Sequence, residues 1–230
     1  DDLGAIWAWG FNAYGQFGSG VAAGSLSPIK IESDVKFVSI STGKNNTLAV
    51  DESGQLWSCG DNQYGFLGIG TCGIKFVPVQ IETAAIFVKL YSRYATNYAF
   101  DSDNNLWAWG GSIYNESFRD GAYANQSKPV LIQSKVKYRL FSTKFGHTCA
   151  IDEVGNLWSW GYNAYGQLGD GTRMDKNLAV PIKPDTKFCM VSVGGCFTLA
   201  IDSMENLWAW GLNNDGQFGK KIGGSNSPTL

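Results

Sequence analysis

Histidine is nearly absent from this chain: His147 is the only one among 230 residues. Acyl-transfer and hydrolytic sites of the triad kind need a base within reach of a nucleophile. No Ser, Cys or Asp near His147 in sequence forms such a motif, so a structural hydrogen-bonding role is expected for it. No phosphate-cradling glycine loop and no paired-carboxylate motif stands out either, and the chain reads as non-enzymatic, without cofactor or metal. The five cysteines, Cys59, Cys72, Cys149, Cys189 and Cys196, contain no CxxC pair, which argues against a zinc site and against a disulfide framework. Most of them read as small buried hydrophobes. Charge of neither sign dominates: 18 Lys and Arg stand against 20 Asp and Glu. No strong field therefore points to nucleic acid or an anionic membrane. There is no apolar run of about 18 residues and no basic region followed by an apolar one at the start, so neither a membrane span nor a signal peptide is visible; either would have to lie upstream. An intracellular setting, cytoplasmic or nuclear, is favoured, and a secreted one stays open.

What the chain does have is a repeated phrase. NLWAWG at 206–211 recurs as NLWAWG at 105–110, NLWSWG at 156–161, QLWSCG at 55–60 and AIWAWG at 5–10. The first Trp of each phrase falls at 7, 57, 107, 158 and 208. A fixed period of this size signals a repeat architecture in which each unit buries its apolar face against its neighbours. All nine Trp lie in the phrase, namely Trp7, Trp9, Trp57, Trp107, Trp109, Trp158, Trp160, Trp208 and Trp210. Each buried Trp removes roughly 150–250 Å² from water, on the order of 4–6 kcal/mol gross at about 25 cal/mol per Å². The nine are therefore expected to be structural, marking inter-blade layers.

Aligned on the Trp, 35–51, 85–101, 136–152 and 186–202 stack without a gap. The first half of each is β-branched and aromatic and reads as a strand, and TLAVD, NYAFD, TCAID and TLAID read as a second. LWxWG is a third. A fourth carries proline, as SPIKI at 27–31, VPVQI at 77–81 and KPVLI at 128–132, and proline cannot donate to a ladder, so this strand is expected at an edge. Between the second and third strands a turn opens on Asp every time: Asp1, Asp51, Asp101, Asp152 and Asp202. Gly4, Gly54 and Gly155, with Asn104 in one copy, follow three residues later and suit a left-handed turn position. These aspartates read as turn caps. A calcium-loop reading of DSDNN at 101–105 fails, because Leu106 and Ser112 stand where that loop needs Gly and Glu.

Four antiparallel strands per repeat predict an all-β fold of β-propeller blades. About four and a half are present: a half blade at 1–32, then blades at 33–82, 83–133, 134–184 and 185–230.

The strings LWSWGYNAYGQLGDGT at 157–172, FNAYGQFGSG at 11–20, DNQYGFLGIGT at 61–71, LNNDGQFG at 212–219 and GHTCAID at 146–152 resemble the regulator of chromosome condensation repeat. The WD and kelch patterns are not met. The resemblance implies a propeller of seven blades, of which this chain would be a part. It also implies function of several kinds: an exchange factor for the Ran GTPase, an ultraviolet-B receptor, or interaction modules attached to other domains. The receptor's clustered Trp motif is missing, with GKNNT, RYATN, KFGHT and GGCFT in its place.

Those stretches join the first and second strands and share one rim with the long loops after LWxWG. Here the repetition stops. Gly43 and Gly194 become Arg93 and Lys144, the next residues are Lys44, Tyr94, Phe145 and Gly195, and GSIYNESFRDG at 111–121 brings in Tyr114, Glu116, Phe118 and Arg119. Arginine and aromatic residues on a rim are what partner hot spots use. The expectation is a non-enzymatic protein-binding module acting through Arg93, Tyr94, Lys144, Phe145, Tyr114, Glu116 and Arg119, with exchange on a Ran-like small GTPase as the alternative.

Overall fold

The computed structural model describes residues 1, 4–93, 96–111, 125–132, 136–219 and 223–230. They fall into two compact units, one from 1 to 111 with 125–132, the other from 136 to the end.

The first unit begins with a two-stranded antiparallel sheet, β1 (Ile6–Gly10) and β2 (Ser25–Ile31). Two four-stranded meanders follow. One is β3 (Phe37–Thr42), β4 (Asn46–Asp51), β5 (Leu56–Gly60) and β6 (Lys75–Gln80); the other is β7 (Phe87–Arg93), β8 (Thr96–Asp101), β9 (Leu106–Gly110) and β10 (Gln126–Leu131). The second unit holds two more, β11 (Tyr138–Lys144) to β14 (Lys176–Ile182) through β12 (His147–Asp152) and β13 (Leu157–Gly161), then β15 (Phe188–Val193), β16 (Phe197–Asp202), β17 (Leu207–Gly211) and β18 (Ser225–Thr229). Each meander pairs its strands in chain order, so the last one, carrying Pro78, Pro129, Pro181 or Pro228, is an edge. Four-stranded antiparallel blades are thus the building unit, as the residue pattern predicts.

Within each unit, consecutive sheets pack face to face through positions that correspond except at Leu90 and Val193. In the first, Leu48, Val50, Leu56 and Ile81 meet Phe87, Leu90, Ala99 and Trp109. In the second, Cys149, Ile151, Leu157 and Ile182 meet Phe188, Val193, Ala200 and Trp210. Period-two alternation sends one set of each strand to either face, and both faces are apolar because both are covered.

The two Trp of the phrase have different duties. Trp109, Trp160 and Trp210 are fully buried, whereas Trp57, Trp107, Trp158 and Trp208 are half-buried. Each half-buried indole N–H donates to the Asp six residues earlier, at 2.8, 2.9, 3.0 and 2.8 Å for Asp51, Asp101, Asp152 and Asp202. The other oxygen of the carboxylate accepts backbone N–H groups of its own turn, as from Val154 at 3.1 Å and Asn156 at 2.8 Å. Asn105, Asn156 and Asn206 add their side-chain amides, which accounts for the Asn that opens the phrase in three copies. The expectation that all nine Trp are core needs correcting at the start of the chain. Trp7 and Trp9 are 46% and 62% exposed, because no described sheet precedes β1 and β2 to cover the face on which Trp109 and Trp210 are buried in their copies. Trp7 still makes the indole bond, to Asp1 at 2.8 Å.

Asn104, predicted at a left-handed position, has φ +57, and Glu205 takes the same place in the last copy at φ +66. Of the cysteines, Cys59 and Cys149 are buried, Cys189 and Cys196 half-buried, and Cys72 is exposed.

Candidate functional site

The rim opposite the Asp turns is built by two loops per blade that are tied together. The backbone N–H after each LWxWG phrase donates to a carbonyl of the preceding hairpin: Asp61 to Asn45 at 2.8 Å, Tyr162 to Gly146 at 2.7 Å and Leu212 to Cys196 at 2.8 Å. Hairpins and long loops therefore share one surface.

A second device anchors the long loops. The Gln167 carbonyl accepts Thr198 Oγ1 and Trp210 Nε1 of the next blade, both at 2.9 Å. In the first unit the Gln16 carbonyl accepts Thr47 Oγ1 at 2.7 Å and Cys59 Sγ at 3.5 Å. Cys59 thus stands in for the Trp of other copies as donor as well as in packing.

His147 belongs to this scaffolding. It is buried, with Nε2 3.0 Å from Thr198 Oγ1. The threonine's single hydrogen goes to Gln167, so the imidazole Nε2–H is the donor. Burial pushes its pKa down to about 3 against backbone groups of Lys144 and Phe197, which favour the charged form. Cys149 is 3.8 Å from the same threonine, its thiol pushed up to about 12 by burial. A neutral thiol and a neutral imidazole out of solvent are packing partners, not a nucleophile and base.

The aspartates are equally occupied. Burial raises a carboxyl pKa, but at Asp51 the Ser53 hydroxyl, the indole and backbone donors outweigh it, and at Asp101, Asp152 and Asp202 the indole, an Asn amide and backbone donors do, holding the first three low and Asp202 at about 2.

Of the residues expected to bind, Arg93 ends β7 and is exposed, and Lys144 and Phe145 sit at the β11–β12 hairpin. The Arg93 end adjoins the neighbouring hairpin: Asn46 Nδ2 donates to Ser92 Oγ at 3.2 Å, and Ser92 N–H donates to Ser41 Oγ at 2.8 Å. Tyr94, Tyr114, Glu116 and Arg119 lie outside the described residues. Arg93 falls in the first unit and Lys144 and Phe145 in the second, and each pair of blades presents its own stretch of rim.

Sequence reasoning passed over the aromatics of the repeated loop itself. Phe11, Tyr64 and Tyr165 are exposed on this rim, paired with Tyr14, Phe66 and Tyr162 at centroid distances of 6.0, 5.5 and 6.3 Å. Being repeated, they looked like scaffold; only the fold shows that the loop's Tyr points outward while its Gln carbonyl faces the next blade.

Four-stranded blades with a loop-rich, aromatic rim define a propeller-type repeat module for protein–protein interaction. The chain belongs to the regulator of chromosome condensation (RCC1) repeat family: the family profile matches residues 4–50, 53–89 and 154–201, and a second profile of the same repeat matches 37–65 and 140–167. No curated protein matches by sequence. Among solved structures, human WBSCR16 is similar with a TM-score of 0.83 and 20% identity, over 99% of this chain and 62% of that one. Yeast RCC1 (Prp20) bound to Kap60 gives 0.60 and 16%, over 100% of this chain and 71% of that one. Prp20p from Saccharomyces cerevisiae, described with its binding properties to Gsp1p and histones, gives 0.58 and 16%, over 100% of this chain and 73% of that one. This chain therefore spans less than two thirds of WBSCR16. The expectation of a non-enzymatic protein is overturned by the likeness to Prp20p, a Gsp1p-binding protein.

Proposed function

We propose that this chain is the repeat region of a guanine nucleotide exchange factor for a Ran-type small GTPase, which it meets through the hairpin rim. The observation that supports the reading is the likeness of the whole chain to Prp20p, described by its binding to Gsp1p, within a shared repeat family. Exchange requires no covalent chemistry. A factor that binds the nucleotide-free GTPase more tightly than the loaded one lowers the barrier to release, and each 1.36 kcal/mol of that difference is worth about tenfold in rate. A rigid rim suits this, because hairpins held between buried layers lose little entropy when they bind. Arg93, Lys144 and Phe145 are the proposed contacts, and Tyr94, Tyr114, Glu116 and Arg119 join them on their sequence character alone. The setting proposed is intracellular.

The test is release of labelled GDP from a panel of small GTPases with the full-length protein. Acceleration of about a hundredfold or more on one member is expected. No acceleration on any member removes the reading.

A further inference from the structure

Three polar side chains, Asn46, Ser92 and Asn97, are 2%, 3% and 0% exposed beneath the hairpin rim of the first unit. They bond to one another across consecutive blades. Asn46 Nδ2 donates to Ser92 Oγ at 3.2 Å and to Asn97 Oδ1 at 3.4 Å, and the Ser92 hydroxyl donates to the same Asn97 oxygen at 2.6 Å. Asn97 Nδ2 donates at 2.6 Å to the Phe66 carbonyl, in the long loop of the preceding blade. Three rim segments therefore meet at one amide. The hairpin at 43–46 enters through Asn46, whose carbonyl accepts the Gly43 N–H at 2.8 Å. The end of β7 enters through Ser92, next to Arg93, and the loop carrying the exposed Tyr64 enters through Phe66. The same cluster keeps position 43 a glycine, since a Cβ there would collide with Asn46 Oδ1 and stand 2.8 Å from Ser92 Oγ.

The second unit fills the matching places differently, with His147, Val193 and Thr198. The imidazole bonds to Thr198 and Thr198 to the Gln167 carbonyl, while Val193 brings only an apolar side chain. Blades therefore pack without a hydroxyl at the place of Ser92. A buried polar cluster gains little stability over an apolar filling, but its bonds are directional and polarise one another, so it holds its members in one geometry. What the polar version adds is position, and the residue beside it is the exposed Arg93.

We infer that Asn97, with Ser92 and Asn46, is a positioning residue for the rim: it fixes Arg93 relative to the 43–46 hairpin and the Tyr64 loop, and so sets affinity for the GTPase surface that Arg93 meets. The partner's identity rests on the exchange reading above; the mechanism rests on the bonds. A side chain whose backbone is fixed before contact loses less entropy on binding.

A double-mutant cycle with the full-length protein and its GTPase tests it. Asn97→Leu nearly keeps the volume and removes the bonds. It should raise the GTPase concentration giving half-maximal GDP release about tenfold, with the maximal rate held within about twofold. In an Arg93→Ala background the same change should cost less than about twofold, because the two residues act as a unit. Losses of equal size in both backgrounds would make Asn97 merely structural and overturn the inference, as would unchanged release by Asn97→Leu alone. Asn97→Thr, which presents a hydroxyl to the Phe66 carbonyl as Thr198 does to that of Gln167, should recover part of the loss. If Asn97→Leu does not fold, Ser92→Ala takes its place in the cycle with the same two outcomes.

Hydrogen exchange separates this inference from the exchange-factor reading. Asn97→Leu should speed exchange of the Asp61 and Ser92 amides, which bond to the Asn45 carbonyl and Ser41 Oγ, at least about tenfold, and leave the matching Tyr162 and Val193 amides of the second unit unchanged. That result with no release from any GTPase would sink the exchange-factor reading and leave the positioning cluster standing. Unchanged protection of Asp61 and Ser92 would overturn the cluster whatever the GTPases do.

Discussion

The two rims of the blades obey different rules. On one, the turn between the second and third strands is written four times with the same bonds: carboxylate to two backbone N–H groups, carboxylate to indole, and a left-handed residue at the third place after Asp. On the other, the hairpins are Gly-Lys-Asn at 43–45, Phe-Gly at 145–146 and Gly-Gly-Cys at 194–196. The Asp turn repeats because it locks a half-buried Trp that every blade needs. The hairpin lies beyond the last covered layer and is free to differ. Variation where the fold exerts no demand is where a partner can exert one.

The comparison breaks most sharply at a buried Trp. Trp210→Ala removes a fully covered ring and the donor to the Gln167 carbonyl, and should cost about 3–5 kcal/mol in urea unfolding. The same change at exposed Trp9 should cost far less. Equal losses at the two sites would show that the phrase is not a layer of the fold.

His147 tests whether the hairpin rim is silent for stability. Its folded pKa, pushed to about 3, lies below the ordinary 6.5, so the unfolded chain binds the proton more readily. Stability is therefore full above pH 6.5 and should fall as pH drops from there toward 3. The Asp turns act lower: their contributions persist above 3.8 and fade only as pH falls through their depressed values. A urea midpoint that declines between pH 6.5 and 4.5 in wild type, and stays flat in a folded His147→Gln variant, is the expected result. A decline confined to below pH 4 would assign acid sensitivity to the carboxylates alone.

Asp152→Asn is the next step down. The amide still fills the turn, but an N–H donor faces the indole N–H unless the group flips and abandons the backbone bonds. A loss of about 1–3 kcal/mol, read by thermal melting, is expected. Phe145→Ala, which removes more atoms from the other rim, should cost less than Asp152→Asn.

The blade was legible because its demands are periodic: alternation, a proline only an edge accepts, and Asp before every Trp. The indole–carboxylate bond was not, since spacing places the two residues on adjoining elements without showing that Trp57 turns its nitrogen toward Asp51. Nor was the exposure of Trp9, because a pattern written five times conceals which copy has a covered face. At the site, the departures at Arg93, Lys144 and Phe145 could be seen in the alignment. The positive φ of Phe145 could not, since residue spacing does not report a backbone angle. The outward Tyr64 and Tyr165 were masked by their own regularity.

The smallest effect separates the rims most cleanly. Glu205 occupies the left-handed place at φ +66 that Gly54 and Gly155 fill at φ +80 and +85. Its turn bonds are those of the other copies, with Met204 N–H donating to Asp202 at 2.8 Å and Asn206 N–H at 2.9 Å. Glu205→Gly removes a side chain that strains this conformation by roughly 1–2 kcal/mol, while glycine's freedom in the unfolded chain takes back part of the gain. A net gain of about 0.5 kcal/mol is expected, a Tm rise on the order of 1–2 °C. Gly155→Glu should lose a similar amount, since a Cβ there meets Lys187 and Phe188 only at ordinary distances of 3.4 and 3.5 Å. Opposite signs at the two positions would mean that the Asp turn sets its own conformation and the residue only fits it more or less well. A loss at both would mean that Glu205 makes an attachment the other turns lack, and this rim would no longer be uniform.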